Sequence, residues 1–444
     1  MATGSSSWKR FSLKSLGLST ACLSLFAASH LYGEVTFETI TIDRKANGPA
    51  FAELADLNQD GQDEIIVSKF GKIGMSVPPG EVTIYKRGDS LKKWEKIPLI
   101  TPGDGIRFPN KPFVHDVTKN GKPDIIIPSG FLVCELVPFG KPCGGITLFE
   151  NTGEGFKKHD IIKPGYHLFF HAVHFVDLTG DGIEDMITVG ERKSGPLGRI
   201  KDTAITMWFK GIAEPPYFES KPRPIAQGMG GLPSLIDINQ NGMFDIASAE
   251  YFYGDAASFA WLEQIAPISD ENPNGIWERH IIDDEVGPAI QLSFVEDLYG
   301  DGKLRAIGSN HTNTRKNKPD PWESAIYVYD IPEDPRQPWK KTKISEGIVS
   351  RPGNFFALQA APGIFGTGDL SGNGLADVLV SGDGDDRVFW LEQTESGQFS
   401  THVLAENFGQ AGAMLVSDLD QDGQNEAIIS SYERSEIRIL KVKK

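Results

Sequence analysis

Residues 56–64 read DLNQDGQDE, and this nine-residue stretch returns six more times along the 444-residue chain. The later copies are DVTKNGKPD (116–124), DLTGDGIED (177–185), DINQNGMFD (237–245), DLYGDGKLR (297–305), DLSGNGLAD (369–377) and DLDQDGQNE (418–426). Four of the six intervals between successive copies are 60 or 61 residues, and the last two are 72 and 49. A loop that returns at a nearly constant period indicates a repeat architecture in which every unit has the same local structure.

Each copy of the loop lies between two segments with strand character. An apolar segment such as AFAELADL (50–57) precedes the loop, and a β-branched segment such as EIIVSKF (64–70) follows it. Third and fourth segments such as EVTIYKR (81–87) and KWEKIPLI (93–100) complete the unit. Four short antiparallel strands in about 60 residues are typical of a propeller blade. No segment has a sustained 3.6-residue apolar period, so we expect no long helix.

The two ends of the chain predict how the repeats close into a ring. The last unit begins near Gly412 and ends after three strands, whereas VTFETITID (35–43) has the pattern of a fourth strand. Pairing of these segments would remove two open sheet edges. We therefore predict an all-β fold, a seven-bladed β-propeller of four-stranded antiparallel blades over residues 34–444, in which the N-terminal strand closes the last blade.

Residues 1–33 have the pattern of a secretory signal peptide. A basic start precedes an uncharged apolar run (16–28) that is too short to span a bilayer. Cleavage after Ser29 and cleavage after Gly33 both fit, and the alternatives are a retained anchor or a lipid on Cys22. We expect a secreted or periplasmic protein, a monomer whose mature chain has no transmembrane segment.

The composition excludes several classes of function. A net charge of −16 argues against nucleic-acid binding, because there is no surplus of cations for phosphate. Three cysteines exclude a disulfide-rich scaffold and a four-cysteine zinc site. Cys134 and Cys143 are expected to form a disulfide in an oxidising compartment. The chain has no Gly-rich phosphate loop, HExxH or Gly-x-Ser-x-Gly motif.

The repeated loop carries oxygen-bearing side chains at positions 1, 3, 5 and 9 and glycine at position 6, which is the pattern of a calcium loop. Copies one, three, four and seven have the fullest oxygen sets, and copies two and six are weaker. In copy five Tyr299 and Arg305 replace ligands, so we expect no calcium there. The alternative is that the loops are turns stabilised by Asp, Asn and Gly alone. We predict several structural Ca²⁺ ions, with ligands among Asp56, Asn58, Asp60, Glu64, Asp116, Asn120, Asp124, Asp177, Thr179, Asp181, Asp185, Asp237, Asn239, Asn241, Asp245, Asp369, Asn373, Asp377, Asp418, Asp420, Asp422 and Glu426.

The pattern D-x-[DN]-x-[DN]-G-x-x-[DE] between two strands resembles the FG-GAP/VCBS repeat family, which includes integrin alpha-chain propellers and many secreted bacterial proteins. The resemblance covers essentially the whole mature chain and implies the propeller fold. It does not select a function, because the family includes adhesion and ligand-binding modules as well as enzymes similar to aldos-2-ulose dehydratase. The departures at Thr118, Tyr299, Ser371 and Arg305 concern the calcium sites and not the fold.

A ligand site is expected on the face opposite the repeated loops. All seven loops join a first strand to a second, so the other face surrounds the mouth of the central channel, where a pocket is the default site. Near the channel end of each first strand stand Ala50, Asn110, His171, Gly231, Gln291, Gly363 and Gly412. We predict that a ligand is bound by Asn110, Glu191, Glu250, Gln291, Asn310 and Asp383.

Two functions fit this rim. The first is a binding module for an extracellular glycan or protein. The second is a lyase or dehydratase that acts on a sugar or acidic polysaccharide by proton abstraction and elimination. In the second, the base would be His171 or His311, the acid Tyr251 or Tyr432, and the group that stabilises charge Arg192 or Arg351. Convergence of these side chains in a deep pocket favours the lyase, and a flat or apolar mouth argues against it.

Several rim residues also have other interpretations. A second divalent metal in the central pocket is compatible with His171, Glu191, Glu250 and His311. For each of them the alternative is a hydrogen-bonded structural residue or an ion pair. His115 and His174 fall within first strands and are expected to pack there. Asn310-His311-Thr312 is a glycosylation sequon, which has meaning only in a eukaryotic source.

Overall fold

The computed structural model describes residues 35–73, 76–136, 140–193, 202–251, 253, 257–269, 271–313, 320–351 and 359–443. The predicted signal peptide (1–33) lies outside these residues. Within the described ranges the helical elements are a 3₁₀ turn, Pro102–Asp104, and the four-residue helix α1, Val133–Leu136. All other regular structure is β, as the sequence periodicity predicts.

Each repeat forms one antiparallel sheet of four strands, and we number the strands in chain order. Blade one consists of β2 (Pro49–Ala55), β3 (Glu64–Lys69), β4 (Glu81–Arg87) and β5 (Trp94–Ile100). Blade two consists of β6 (Phe113–His115), β7 (Asp124–Ser129), β8 (Gly144–Asn151) and β9 (Phe156–Tyr166). Blade three consists of β10 (Phe169–Val176), β11 (Asp185–Arg192), β12 (Thr203–Phe209) and β13 (Arg223–Gln227). Blade four consists of β14 (Ser234–Ile236), β15 (Asp245–Ala249), β16 (Phe259–Ala266) and β17 (Ile276–Asp283).

The remaining three blades complete the ring. Blade five consists of β18 (Ala289–Glu296), β19 (Leu304–Asn310), β21 (Ile326–Asp330) and β22 (Lys340–Lys343). Blade six consists of β24 (Phe365–Gly368), β25 (Asp377–Ser381), β26 (Val388–Glu395) and β27 (Gln398–Ala405). Blade seven joins β28 (Ala411–Ser417), β29 (Glu426–Ser431) and β30 (Glu436–Val442) to β1 (Phe37–Asp43) from the other end of the chain. The seven-bladed fold and its closure by the N-terminal strand are therefore confirmed.

Two features were not marked by the repeat pattern. The first is a small two-stranded sheet of β20 (Thr312–Asn313) and β23 (Ala360–Ala361), which connects the insertions on either side of strands β21 and β22. The second is the outer strand of blade three, β13, whose sequence RPIAQ has no alternation of apolar and polar residues. Both are short, and short strands in long connections carry little sequence signal.

First strands line the inner side of the ring, and those of blades one and two, four and five, six and seven, and seven and one contact each other. At the channel end of these strands, buried side chains join blade five to blade six and blade six to blade seven. The Ser309 hydroxyl donates to the Gly363 carbonyl at 2.6 Å, and the Ser381 hydroxyl donates to the Ala411 carbonyl at 2.9 Å. Gly412 fits here because a Cβ on it would lie 2.6 Å from the Ala50 carbonyl oxygen. Close backbone approach therefore sets the residue type at this position.

Apolar layers between adjacent blades form the core. Between blades four and five, Trp261, Phe259, Leu292 and Tyr329 belong to one buried cluster. A similar cluster joins blade seven to blade one and includes Ile40 of the closing strand. Trp261 and Trp339 are both buried in the layer between blades four and five.

The Asp283 carboxylate joins the outer strand of blade four to blade five. It accepts a hydrogen bond from the Tyr329 hydroxyl at 2.8 Å and lies 2.8 Å from the Lys341 ammonium. Asp43, at the end of β1, makes the same contacts with Tyr85 and Lys96 of blade one. Burial and the nearby carboxylate raise the pKa of Tyr329, so this hydroxyl stays a donor.

Asp283→Ala is expected to lower the free energy of unfolding by about 1–3 kcal/mol, because it leaves the buried Tyr329 hydroxyl without an acceptor. The exposed neighbour gives a matched control, Asp284→Ala, with an expected change within about 0.5 kcal/mol. Urea unfolding of both variants measures the difference. Equal effects of the two substitutions would show that the contact contributes nothing.

Candidate functional site

The seven repeated loops share one hydrogen-bond pattern. In the first loop the Asp56 carboxylate accepts the backbone N–H groups of Asp60 at 2.9 Å and Gly61 at 2.7 Å. The Glu64 carboxylate at position 9 accepts the N–H of Leu57 at 2.9 Å. In each of the other six loops, the aspartate carboxylate at position 1 likewise accepts the backbone N–H of the glycine at position 6. These bonds explain the recurrence of Asp and Gly without an ion, so calcium binding stays a prediction.

Position 9 is buried, and burial changes the acidity of its carboxyl group. Burial raises the pKa of Asp245 in the fourth loop to about 6, although the N–H groups of Gln264 and Ile238 donate to it. Burial also raises the pKa of the position 9 carboxyl groups of the first, second, third, sixth and seventh loops. The loops therefore keep carboxyl groups where water is scarce.

On the opposite face, five of the six predicted ligand-binding residues form hydrogen bonds to other groups of the protein. Asn110 is fully buried, and its amide donates to the carbonyls of Gly130 and Phe170. Gln291 exchanges hydrogen bonds with the backbone of Phe365 in the next blade. The other three buried residues bond to backbone N–H or C=O groups and are Glu191, Glu250 and Asn310. Their polar atoms thus support the rim from within.

The structure also bears on the predicted glycosylation sequon and on the predicted second metal site. Asn310 is fully buried and donates to the carbonyls of Val286 and Glu323, so the sequon offers no accessible acceptor for a glycan. Within the described residues, acidic and histidine groups whose ligand atoms lie within 4.8 Å of one another occur at Glu263, Glu278 and His280 and at Asp418, Asp420 and Glu426. The four rim residues predicted to hold a second metal form no such group.

Of the predicted catalytic residues, His171 and Arg192 are held by acidic partners. The His171 ring Nδ1 lies 2.5 Å from the Glu191 carboxylate, which also accepts the N–H of Gly231 at 2.7 Å. Arg192 makes a bidentate ion pair with Glu135 at 2.9 and 3.0 Å. Glu135 follows Cys134, which forms the predicted disulfide with Cys143.

Six other side chains come together on this face, and we call them the polar arc. The arc contains three predicted catalytic residues, one predicted ligand-binding residue and two residues for which no role was predicted, in the order Tyr251, His311, Asp383, Gln410, Glu433 and Arg351. They come from the connections after the second strands of blades four to seven and from the links between blades five, six and seven. Each of the six is at least partly exposed to solvent.

Asp383 lies at the centre of the polar arc. Its carboxylate accepts the Gln410 amide at 2.6 Å and interacts electrostatically with His311 and Arg351. Burial raises the pKa of the Asp383 carboxyl, and His311, Gln410 and Arg351 offset that rise only in part. Its φ of 51° lies in the left-handed region, which a non-glycine residue seldom adopts. Such backbone strain occurs often at functional sites.

The two ends of the polar arc are also connected. Arg351 donates to the Gly384 carbonyl at 2.9 Å, and its guanidinium lies 3.6 Å from the Glu433 carboxylate. The ring of Tyr251 meets the ring of His311 edge-on, with centroids 5.2 Å apart. The arc therefore offers a phenol, an imidazole, two carboxylates and a guanidinium to one ligand.

Aromatic rings occupy the other side of the rim, and we call them the aromatic row. Phe70 meets Phe108 with centroids 5.0 Å apart, and Phe108 meets Phe131 at 5.5 Å. Phe131 continues to Phe169 at 6.0 Å, and Tyr432 meets Phe70 at 6.4 Å. Tyr432 precedes Glu433 in the chain, so the aromatic row adjoins the polar arc in blade seven. Sequence reasoning named Tyr432, as a candidate acid, and missed the phenylalanines, although Phe70 follows a second strand directly and Phe131 follows one after Gly130.

Two cavities lie away from this rim. One of about 200 Å³ is lined by Phe113, His115, His174 and Phe175 on the first strands of blades two and three. The His174 ring lies 2.7 Å from the Pro233 carbonyl, and burial lowers the pKa of His174 to about 4. The ring of His115 stacks on Phe175. His174 thus packs within its first strand as predicted, whereas the His115 side chain is 37% exposed and lies 2.6 Å from the Glu184 carboxylate.

Comparisons with known proteins identify one repeat and leave the function open. Residues 369–429 match the FG-GAP-like repeat family. No curated protein sequence matches the chain. The crystal structure of BBS1N in complex with ARL6DN, soaked with lead, has a TM-score of 0.49 and 10% identity over 92% of this chain and 97% of that chain. A thermostable family-43 glycoside hydrolase has a TM-score of 0.38 and 14% identity over 69% of this chain and 98% of that chain. The chain is thus a seven-bladed propeller in which residues 369–429 carry an FG-GAP-like repeat.

Proposed function

We propose that this chain is a secreted binding propeller that holds an extracellular, uncharged glycan against the polar arc and the aromatic row. The observation that carries the proposal is the convergence of His311, Asp383, Gln410 and Arg351 around one point of the rim. These half-buried polar groups from blades five to seven have no structural need to meet, because buried hydrogen bonds join these blades elsewhere.

The chemistry of the two surfaces matches that of a sugar. Sugar hydroxyl groups both donate and accept hydrogen bonds, and Asp383, Gln410 and Arg351 supply carboxylate, amide and guanidinium partners with fixed geometry. Sugar rings also have apolar C–H faces, which suit partly exposed aromatic rings such as Phe70 and Phe131. A polyanionic glycan fits less well, because the net charge of −16 repels it.

Secretion is supported by the covalent chemistry of the chain. The disulfide between Cys134 and Cys143 lies beside the rim and is stable in an oxidising compartment. No helix among the described residues is long and apolar enough to cross a membrane. The apolar N-terminal run predicted to direct export remains a sequence-based part of this proposal.

Calorimetric titration with neutral hexasaccharides of glucose, mannose and xylose tests the proposal. Arg351→Gln is expected to weaken binding of the preferred hexasaccharide by about tenfold or more, because it removes a charged donor. Lys92→Gln, on the exposed outer hairpin of blade one, is the control and leaves the affinity unchanged. No binding of any neutral hexasaccharide, or equal affinities of the two variants, would exclude this site.

One observation favours the second function, a sugar lyase or dehydratase. The Tyr251 and His311 rings are in contact, and His311 and Arg351 both interact with Asp383. A proton acceptor, a donor and a group that stabilises an enolate thus lie together, with His311 in place of the buried His171 as base. Rising ultraviolet absorbance from an unsaturated product, lost in His311→Ala, would establish the lyase with uronic-acid polysaccharides or ketosugars as substrates.

A further inference from the structure

The third strand of every blade places one side chain directly beside position 9 of the repeated loop. In blade seven, Ala427 pairs with Leu440, so the next residues outward are Glu426 at position 9 and Lys441. The same register holds in the other six blades. The corresponding third-strand residues of blades one to six are Lys86, Glu150, Lys210, Glu263, Asp330 and Glu392. This position carries lysine in blades one, three and seven and a carboxylate in the other four.

The seventh loop, which has the most carboxylates, holds the ammonium group of Lys441 among them. Its Nζ lies 2.8 Å from both carboxylate oxygens of Asp420, 3.0 Å from Asp422 and 2.8 Å from Glu426. Burial alone would lower the pKa of Lys441, but its hydrogen bonds to the three carboxylates raise it. Lysine therefore stays charged at the point where the acidic side chains of this loop converge.

The first and third loops repeat this arrangement with fewer partners. Lys86 Nζ lies 3.3 Å from Asp60 at position 5 and 3.9 Å from Glu64 at position 9. Lys210 Nζ lies 2.5 Å from Asp181 at position 5. Hydrogen bonding to Asp181 raises the pKa of Lys210. In each case the cation comes from the same position of the third strand.

In the fifth loop the cation and the carboxylate exchange places: the cation is at position 9 and the carboxylate is on the third strand. Arg305 stands at position 9 and makes two hydrogen bonds to Asp301 at position 5, at 2.6 and 2.8 Å. Its Nε donates to Asp330, the third-strand residue, at 2.8 Å. All four loops with Asp at position 5 are thus paired with a cation from their own blade.

The second, fourth and sixth loops differ in both positions at once. Their position 5 residue is asparagine, whose amide donates to a third-strand carbonyl in each case, and the three are Asn120, Asn241 and Asn373. Their third-strand residue is glutamate, paired with a histidine of the fourth strand, and the three pairs are Glu150–His159, Glu263–His280 and Glu392–His402. A loop with a carboxylate at position 5 therefore has a cation beside it. In the loops with asparagine at position 5, the third-strand residue is glutamate instead of a cation.

We propose that Lys86, Lys210, Arg305 and Lys441 are the resident cations of loops one, three, five and seven and take the place that calcium takes in such loops. A calcium ion needs six to eight oxygen ligands at 2.3–2.6 Å. In loop seven these oxygens already surround an ammonium group, whose three N–H donors suit three carboxylates. A second cation at that point would be repelled strongly. These four loops do not fit calcium, which remains predicted for loops two, four and six.

Removal of the lysine is expected to create a calcium site. Lys441→Met keeps the length of the side chain and leaves Asp418, Asp420, Asp422 and Glu426 without a cation. Calorimetric titration with calcium chloride should show one more calcium ion per chain in this variant than in the unsubstituted protein. Its melting temperature should fall in chelator and recover in calcium. Lys443→Met, two residues further along the chain and exposed, is the matched control and gains no ion.

Lys86→Met repeats the test in a loop whose lysine has fewer partners, so it serves if Lys441→Met does not fold in chelator. Folding of Lys441→Met in calcium alone would also support the proposal. The proposal is overturned if the unsubstituted chain binds calcium at loop seven, seen as loss of one ion in Asp422→Asn. It is equally overturned if neither lysine variant gains an ion over the unsubstituted protein.

Discussion

A chain that starts at residue 44 and so lacks the closing strand β1 (Phe37–Asp43) is expected to lose most of its stability. The strand pairs with β30 along its whole length, from Phe37 with Val442 to Asp43 with Ile437. It contributes the buried Ile40 to the layer between blades seven and one. Loss of that side chain costs about 2–5 kcal/mol, and loss of the acceptor for the buried Tyr85 hydroxyl about 1–3 kcal/mol. The sum is comparable with the whole free energy of unfolding of a typical domain, about 5–15 kcal/mol.

Removal of β1 also leaves strand β30 as an open edge of the blade seven sheet. Strand β30 would present unpaired N–H and C=O groups along seven residues, which is a template for aggregation. Size-exclusion chromatography and thermal unfolding of chains that start at residues 35 and 44 measure both effects. Two point variants separate packing from pairing: Ile40→Ala should cost about 2–5 kcal/mol, and the exposed Thr39→Ala should stay within about 0.5 kcal/mol. A stable, monomeric chain starting at residue 44 would contradict the role of β1 in closure.

The sequence was sufficient to predict the fold because the same loop and strand pattern occurs seven times. Any one copy, such as the degraded DLYGDGKLR (297–305), would have been a weak signal. Seven copies at a nearly constant period indicate the number of blades and the position of each first and second strand. Elements outside the period could not be predicted in this way, and β13 and the small sheet of β20 and β23 are examples.

The candidate site was predicted only in part, because the position of a residue on the rim does not determine where its side chain points. Asn110 and His171 occupy equivalent places six residues before their loops, yet both turn inward to hydrogen-bond partners in the fold. Asp383 was predicted as a ligand-binding residue and lies in the polar arc. Gln410 was missed because the link between blades six and seven contains no motif, and only the fold brings it to Asp383.

The pairing of a cation with the acidic loops also could not be predicted from the loop motif. Positions 1, 3, 5 and 9 of the seventh loop are Asp418, Asp420, Asp422 and Glu426, which is the fullest oxygen set in the chain. Lys441 lies 15 residues beyond Glu426, outside the loop, and only the strand register brings its ammonium to these carboxylates. A pattern that counts ligands within a loop cannot detect a cation from the next strand.

Asp383→Asn is expected to weaken glycan binding by about tenfold or more while making the folded protein more stable at neutral pH. Because burial raises the pKa of Asp383 above that of an exposed carboxyl, the native state binds its proton more tightly than the unfolded state does. The unsubstituted protein therefore loses stability as the pH rises from the unfolded pKa, near 3.8, through the higher pKa of the folded state. The variant lacks this loss, so its melting temperature should match that of the unsubstituted protein at pH 3 and exceed it at pH 7.

The substitution is conservative in every other respect. An asparagine can still accept the Gln410 amide, and it adopts the left-handed conformation at φ 51° at least as readily as aspartate does. What it lacks is the negative charge, so loss of affinity for a neutral hexasaccharide by about tenfold or more would assign that charge to the ligand. Asp89→Asn, exposed on the outer hairpin of blade one, should change neither property. A charge that lowers the stability of the fold is expected only where function requires it. Lower stability of the variant at pH 7, together with unchanged affinity, would therefore show that Asp383 supports the fold and does not bind a ligand.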